Sequence, residues 1–228
     1  KVISDEQVDA VNGINKNKIS NLNGKGGTGK TSKVVKSQCD RICQGKNKGL
    51  KVLFTAPTHS AKKNGRNVIG HPKEIDYSVI QSLTYEYFEI KEGVEGYTNK
   101  LTNLLKENDI EYIFIDESSM LDMPTYHKLM VILNEYYEET NDDIRVIFLG
   151  DENQLGPIGV GDPYVSLLSK IPTYTLTKNH RSNSEIKEFS EIILNNGPKG
   201  DKWTMDDIKG KYESIQCRFT SMESEWIK

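Results

Sequence analysis

Long apolar runs are missing from this sequence. No stretch approaches the roughly 20 consecutive apolar residues that a membrane-spanning helix requires, and no amino-terminal segment couples a basic start to an apolar stretch. Neither a helical membrane span nor a secretory leader is expected. Cysteine is nearly missing too. Cys39, Cys43 and Cys217 are too few for a disulfide framework, and without further Cys or His at short spacing a structural metal site is not expected. Cys39 and Cys43 stand four apart, which suits one buried helix face, and the pattern fits a reducing, intracellular compartment. Neither sign of charge dominates: 30 basic against 33 acidic side chains leave a net charge of -3. That total identifies no partner, because nucleic-acid binding needs only a local basic surface. Internal repeats and long low-complexity tracts are absent as well. The first residue is Lys1 rather than Met, which reads as a fragment or a processed product.

What is present is a rhythm of short apolar runs. At 228 residues the chain suits one large domain, or one domain plus part of another. Apolar, strand-like runs cover Lys18 to Leu22, Lys51 to Phe54, Tyr112 to Ile115 and Arg145 to Leu149. Between them, Lys30 to Gln44, Tyr97 to Glu107 and Pro124 to Tyr137 read as helices. Continuous apolar strands alternating with helices predict an α/β fold, a parallel sheet with helices on both faces. Such sheets bind ligands beyond the carboxyl ends of their strands. Glu86 to Gly96 reads as an insertion or hairpin, Gly197 to Gly210 as a linker, and the tail from Lys211 as a strand and the start of a helix.

After the first strand comes Gly24-Lys25-Gly26-Gly27-Thr28-Gly29-Lys30-Thr31, a complete G-x-x-x-x-G-K-[ST] loop followed by a helix-forming stretch that opens with Ser32. Glycines let the loop wrap with its N–H groups turned toward phosphate oxygens, and the helix amino-terminus adds its positive end. Lys30 would reach the β- and γ-phosphates of ATP, and Thr31 would ligate Mg²⁺. A second strand, Tyr112 to Ile115, runs into Asp116-Glu117. Asp116 would hold the metal and Glu117 would orient and deprotonate the attacking water. A third strand ends in Gly150-Asp151-Glu152-Asn153-Gln154, where Gln154 would sense the γ-phosphate; an ordinary polar loop is the alternative.

These motifs, in this order, resemble the RecD/Pif1-like branch of superfamily 1 helicases, and the likeness runs from about Asp5 to Phe219. Ser4-Asp5-Glu6-Gln7 resembles the family's opening motif, which implies that Gln7 contacts adenine. Thr55-Ala56-Pro57-Thr58-His59-Ser60-Ala61-Lys62 and Val79-Ile80-Gln81-Ser82-Leu83 resemble two motifs that grip single-stranded DNA. Thr58, His59 and Lys62 would donate to phosphates, Pro57 would pack on a base, and Gln81 and Ser82 would add contacts. Leu176 to Asn183 resembles the segment with an arginine finger, at Arg181. Gln81 stands where the family usually has His, and Gly156 where it often has Pro.

The resemblance implies a RecA-like P-loop domain over 1–172 and a junction with the start of a second RecA-like domain over 173–228, incomplete because nothing after Asn183 matches that domain's motifs. An insertion at about 84–110 reads first as an ordinary packed hairpin; a duplex-splitting pin carrying Tyr85, Tyr87 and Phe88 is the alternative. The expected function is an ATP-dependent 5′–3′ DNA helicase motor lobe, monomeric, with single-stranded DNA and the missing lobe of its own polypeptide as partners. A nucleotide-gated binding module and a viral RNA helicase domain stay open as alternatives. Lys-, Asn- and Ile-rich usage hints at an AT-rich genome such as a virus or phage.

Overall fold

In the computed structural model the apolar runs become strands of one sheet. Residues 4–45, 49–70, 72–91 and 94–178 are described. Two units divide after Lys178, so all of the description belongs to the first. The expected linker, the tail and Arg181 lie outside the described residues.

The strands are β1 (Ile19–Gly24), β2 (Val52–Ala56), β3 (Ile75–Val79), β6 (Tyr112–Ile115), β7 (Arg145–Gly150) and β8 (Thr173–Leu176), and they lie in the order β3-β2-β6-β7-β1-β8. Every pairing among them is parallel. All their carboxyl ends therefore open on one edge. Side chains alternate faces along each strand, and both faces are apolar. In β6, Ile113 and Ile115 join one cluster while Tyr112 and Phe114 join the other; in β7, Val146 and Phe148 separate likewise from Ile147 and Leu149. This is why the runs read as continuous rather than alternating hydrophobicity.

Helices cover each face. On one side lie α1 (Asp5–Lys16), α2 (Lys36–Cys43) and α3 (His59–Ile69), which bury Ala10, Ile14, Cys39 and Ile69. On the other lie α4 (Ile80–Thr84), α5 (Lys100–Glu107), α6 (Met123–Thr140) and α7 (Pro163–Leu168), which bury Leu83, Leu105, Leu133 and Tyr164. Their starts follow local rules. Thr58, Asn99, Asp122 and Asp162 accept the N–H three residues on, and Pro124 and Pro163 sit in the first turns of α6 and α7. Among the described residues no helix is long and apolar enough to cross a membrane.

Three segments depart from the sequence-based reading. The helix expected from Lys30 starts as a π-helical turn, Lys30–Val35, because the Gly29 carbonyl accepts N–H groups from both Lys33 and Val34. Tyr97 to Asn99, expected to begin a helix, instead ends β5 (Val94–Asn99), which pairs antiparallel with β4 (Glu86–Lys91). This hairpin forms its own two-stranded sheet; Phe88 and Tyr97 on its strands are exposed, as is Tyr85 just before it. Its base is held from α5, where Asn103 bonds the Tyr87 hydroxyl and Thr98, facing residues of the two strands. Residues 173–176, expected in the junction, form the edge strand β8 against β1.

Tight packing of α1 on β8 depends on Gly13, where an added Cβ would enter the ring of Tyr174. Gly13→Ala is expected to cost about 1–3 kcal/mol by overpacking and to lower the thermal midpoint by roughly 3–10 °C. Gly49→Ala, where a Cβ meets nothing within 4 Å, should leave the midpoint unchanged in the same calorimetric scan.

Candidate nucleotide and nucleic-acid site

The phosphate loop leaves β1 at Gly24, which is paired with Leu176 of β8. A Cβ there would stand 2.8 Å from the Leu176 carbonyl oxygen and 2.9 Å from Thr28 Oγ1. Only glycine permits that approach. Past Gly26 and Gly27, Gly29 turns left-handed at φ 92°, and a Cβ on it would meet the Gln7 amide at 2.7 Å. Thr28 is buried, with its hydroxyl donating to the Lys25 carbonyl at 2.9 Å. Its own carbonyl accepts from Gln7 Nε2 at 3.0 Å. Gln7 is 2% exposed, and its Oε1 accepts the Ser4 N–H. The residue expected to touch adenine thus braces the loop. Ser32 is exposed on the π-helical turn.

Lys30 Nζ donates to the carbonyls of Gly24 and Lys25. Burial pulls its pKa down, and the nearby carboxylates of Asp151, Asp116 and Glu117 oppose that. Thr31 Oγ1 donates to Asp116 Oδ2 at 3.1 Å, and the Glu117 N–H donates to Asp116 Oδ1 at 3.0 Å. Asp116 is 7% exposed. Burial raises its carboxyl above the ordinary range, against the pull of Glu117 N–H, Thr31 and Lys30. Glu117 is raised first by burial and then by Asp116. Its backbone is left-handed, φ 53° and ψ 39°, a conformation that costs about 1–2 kcal/mol in a side-chain-bearing residue. The surroundings hold it there as the chain turns from β6 into the tight turn Ser118–Met120.

Asp151 was not singled out in the sequence, yet it faces the same lysine. Its signal was available, since like Asp116 it is the first residue after a buried apolar strand. Its Oδ1 accepts the Asn153 N–H at 3.0 Å and its carbonyl accepts the Gln154 N–H at 3.1 Å. Gln154's side chain is exposed on this loop. Asn23 at the end of β1 ties the loop down, donating to Glu152 Oε1 at 3.0 Å and accepting from the Tyr164 hydroxyl at 3.2 Å. Three carboxylates act on the single ammonium of Lys30, and the Thr31 hydroxyl joins loop and acid, so the site holds hard oxygen donors and excess negative charge. Thr31 and Asp116, joined by that hydrogen bond, are the residues that could hold Mg²⁺ together with phosphate oxygens.

The expected strand-binding residues gather at the other end of the same edge. Ala56 and Val79 are in register on β2 and β3, so Pro57–Lys62 and Ile80–Thr84 emerge side by side. Thr58 Oγ1 accepts the Ala61 N–H at 3.1 Å, which leaves its own proton to donate. His59 is exposed and Lys62 half-buried. Gln81 and Ser82 are exposed, and the Ser82 hydroxyl donates to the Val79 carbonyl. The two groups are joined through β2 and β6: the Asp116 N–H donates to the Thr55 carbonyl at 2.8 Å, two residues before Pro57.

A glycine loop with its lysine, a threonine bonded to the strand-end aspartate, and an all-parallel sheet define a P-loop nucleotide-binding domain. Residues 2–209 match the family described as AAA domain, and the chain belongs to it. Among curated relatives, the RecD subunit of the RecBCD enzyme from Buchnera aphidicola is 31% identical over 175 residues, 69% of this chain and 25% of that one. The ATP-dependent DNA helicase dda of Enterobacteria phage T4 is 26% identical over 199 residues, 82% of this chain and 39% of that one. The structure of a Bacteroides Pif1 helicase in complex with ADP-AlF3 and single-stranded DNA superposes at a TM-score of 0.60, with 21% identity, over 91% of this chain and 48% of that one. The chain thus spans half or less of the length of these relatives.

Thr31→Ala should weaken nucleotide binding in Mg²⁺ by roughly 10–100-fold and leave binding in EDTA unchanged. Fluorescent-nucleotide titrations under the two conditions check this.

Proposed function

We propose that the chain is the nucleotide-hydrolysing lobe of an ATP-dependent DNA helicase. The observation that carries the reading is the cluster of Lys30, Thr31, Asp116 and Glu117 on the sheet edge that also carries Pro57 to Lys62. Loop N–H groups cradle the phosphates of ATP, and Lys30 exchanges its loop carbonyls for β- and γ-phosphate oxygens. Thr31 and Asp116 hold Mg²⁺, which when bound neutralises charge on those oxygens. Glu117 takes the proton of the attacking water as the new P–O bond forms and the bond to the β–γ bridging oxygen breaks, giving ADP and phosphate. A raised carboxyl suits that base. Gln154 follows the γ-phosphate, and Arg181 neutralises the charge that develops on it, by resemblance.

DNA crosses the ends of β2 and β3. Thr58, His59, Lys62, Gln81 and Ser82 meet phosphates and Pro57 packs on a base. Polarity from 5′ to 3′ comes from the resemblance. Motion needs a second lobe that closes over the nucleotide. Phe88 and Tyr97, packed edge to face with centroids 5.6 Å apart and 55% and 78% exposed, give the hairpin a surface for the duplex junction.

Steady-state ATP hydrolysis tests the reading. Single-stranded DNA should stimulate turnover, and Lys30→Ala should abolish it. Glu117→Gln should keep nucleotide affinity while kcat falls by about 10²–10⁴. Tight nucleotide binding without turnover, with or without DNA, would make the chain a binding module instead. Stronger stimulation by RNA than by DNA would reassign the substrate.

A further inference from the structure

Helix α1 holds more than the phosphate loop. Its first turn carries Glu6 beside Gln7. While Gln7 reaches the Thr28 carbonyl, the Glu6 carboxylate reaches the last described residues. Its Oε2 accepts the N–H of Thr177 at 3.0 Å and of Lys178 at 3.4 Å, and its Oε1 accepts the Thr177 hydroxyl at 2.6 Å. The ladder between β1 and β8 ends at Gly24 and Leu176, and beyond it the N–H groups of Thr177 and Lys178 are taken up by Glu6. A carboxylate taking three donors on two oxygens fixes direction in a way that a surface charge pair does not. Those bonds hold the Glu6 carboxyl below its usual range, so it is ionised at neutral pH.

We propose that Glu6 is a positioning residue, which transmits nucleotide occupancy of the phosphate loop to the chain leaving β8. This rests on the ATP-binding reading of that loop. A shift of Thr28 moves Gln7, and the same helical turn carries Glu6 and with it Thr177 and Lys178. In sequence, Arg181 follows three residues after Lys178. Gly24 and Leu176 approach closely, so the loop and the strand exit are already neighbours. What Glu6 adds is a second, polar connection that continues past the end of the sheet.

The test compares amide exchange in a peptide spanning 173–182, with and without a non-hydrolysable ATP analogue and Mg²⁺, in wild type, Glu6→Gln and Glu6→Ala. Nucleotide affinity and DNA-stimulated turnover are measured alongside. Nucleotide should change exchange in this peptide in wild type, and both variants should lose that change while keeping wild-type nucleotide affinity. Their kcat should fall about fivefold or more with KM unmoved. Thr177→Val, which removes only the hydroxyl contact, should show a smaller loss of the same kind. An exchange response that persists in Glu6→Ala overturns the proposal, and so does an unchanged kcat. A parallel loss of nucleotide affinity in the variants also overturns it, because Glu6 would then only support the fold. Absence of nucleotide binding in wild type is a different failure: it removes the ATP reading and the proposal with it.

Discussion

The hydrogen bond from Thr31 to Asp116 is the contact on which the rest of the site depends. It joins the turn after β1 to the end of β6, two strands that β7 separates in the sheet. A hydrogen bond to a charged group is worth about 1.5–3 kcal/mol, comparable to burying one large apolar side chain. Here it also sets which way the loop faces. Around it the charges do not balance: the one ammonium of Lys30 lies in the field of three carboxylates, Asp151, Asp116 and Glu117. Burial outweighs the hydrogen bonds to Asp116 and raises it, and burial together with the neighbouring Asp116 raises Glu117. Such a site is costly to keep ionised, and a bound cation would relieve that cost.

Parallel pairing places this bond. Because every strand of the main sheet runs the same way, the loop, the acids and the residues proposed to bind DNA all emerge on one edge. Strand order then spaces them, with the nucleotide group at β1, β7 and β6 and the other group at β2 and β3. The Asp116 N–H on the Thr55 carbonyl is a direct hydrogen-bonded link between them. A rigid sheet is the right material for such coupling, since displacement at one strand end cannot be absorbed without breaking ladder bonds.

Much of this was legible in the residues themselves. Tyr112 to Ile115 is the strand the apolar run predicted, and the loop from Gly24 to Thr31 lies where its spacing put it. Strand β3 was missed because Asp76 and Ser78 interrupt its apolar run, as an edge strand allows. Strand β8 was missed because it is four residues long and its Thr and Tyr face partly outward. The hairpin was legible as an insertion, but its register was not: Tyr97 to Asn99 suits a helix start until Asn99 is seen to end β5 and cap α5. The roles of Asn23, Asp151 and Glu6 depend on which strands become neighbours. Glu6 meets residues 171 and 172 positions away, and no local pattern encodes that.

On the proposed reading, nucleotide and DNA share one edge of one sheet and are coupled through it. The most direct measurement is reciprocal affinity: single-stranded DNA binding with and without the ATP analogue and Mg²⁺, and analogue binding with and without saturating DNA. Each ligand should change the other's affinity by the same factor, of about 5–150-fold. Two affinities that are each independent of the other ligand would contradict it.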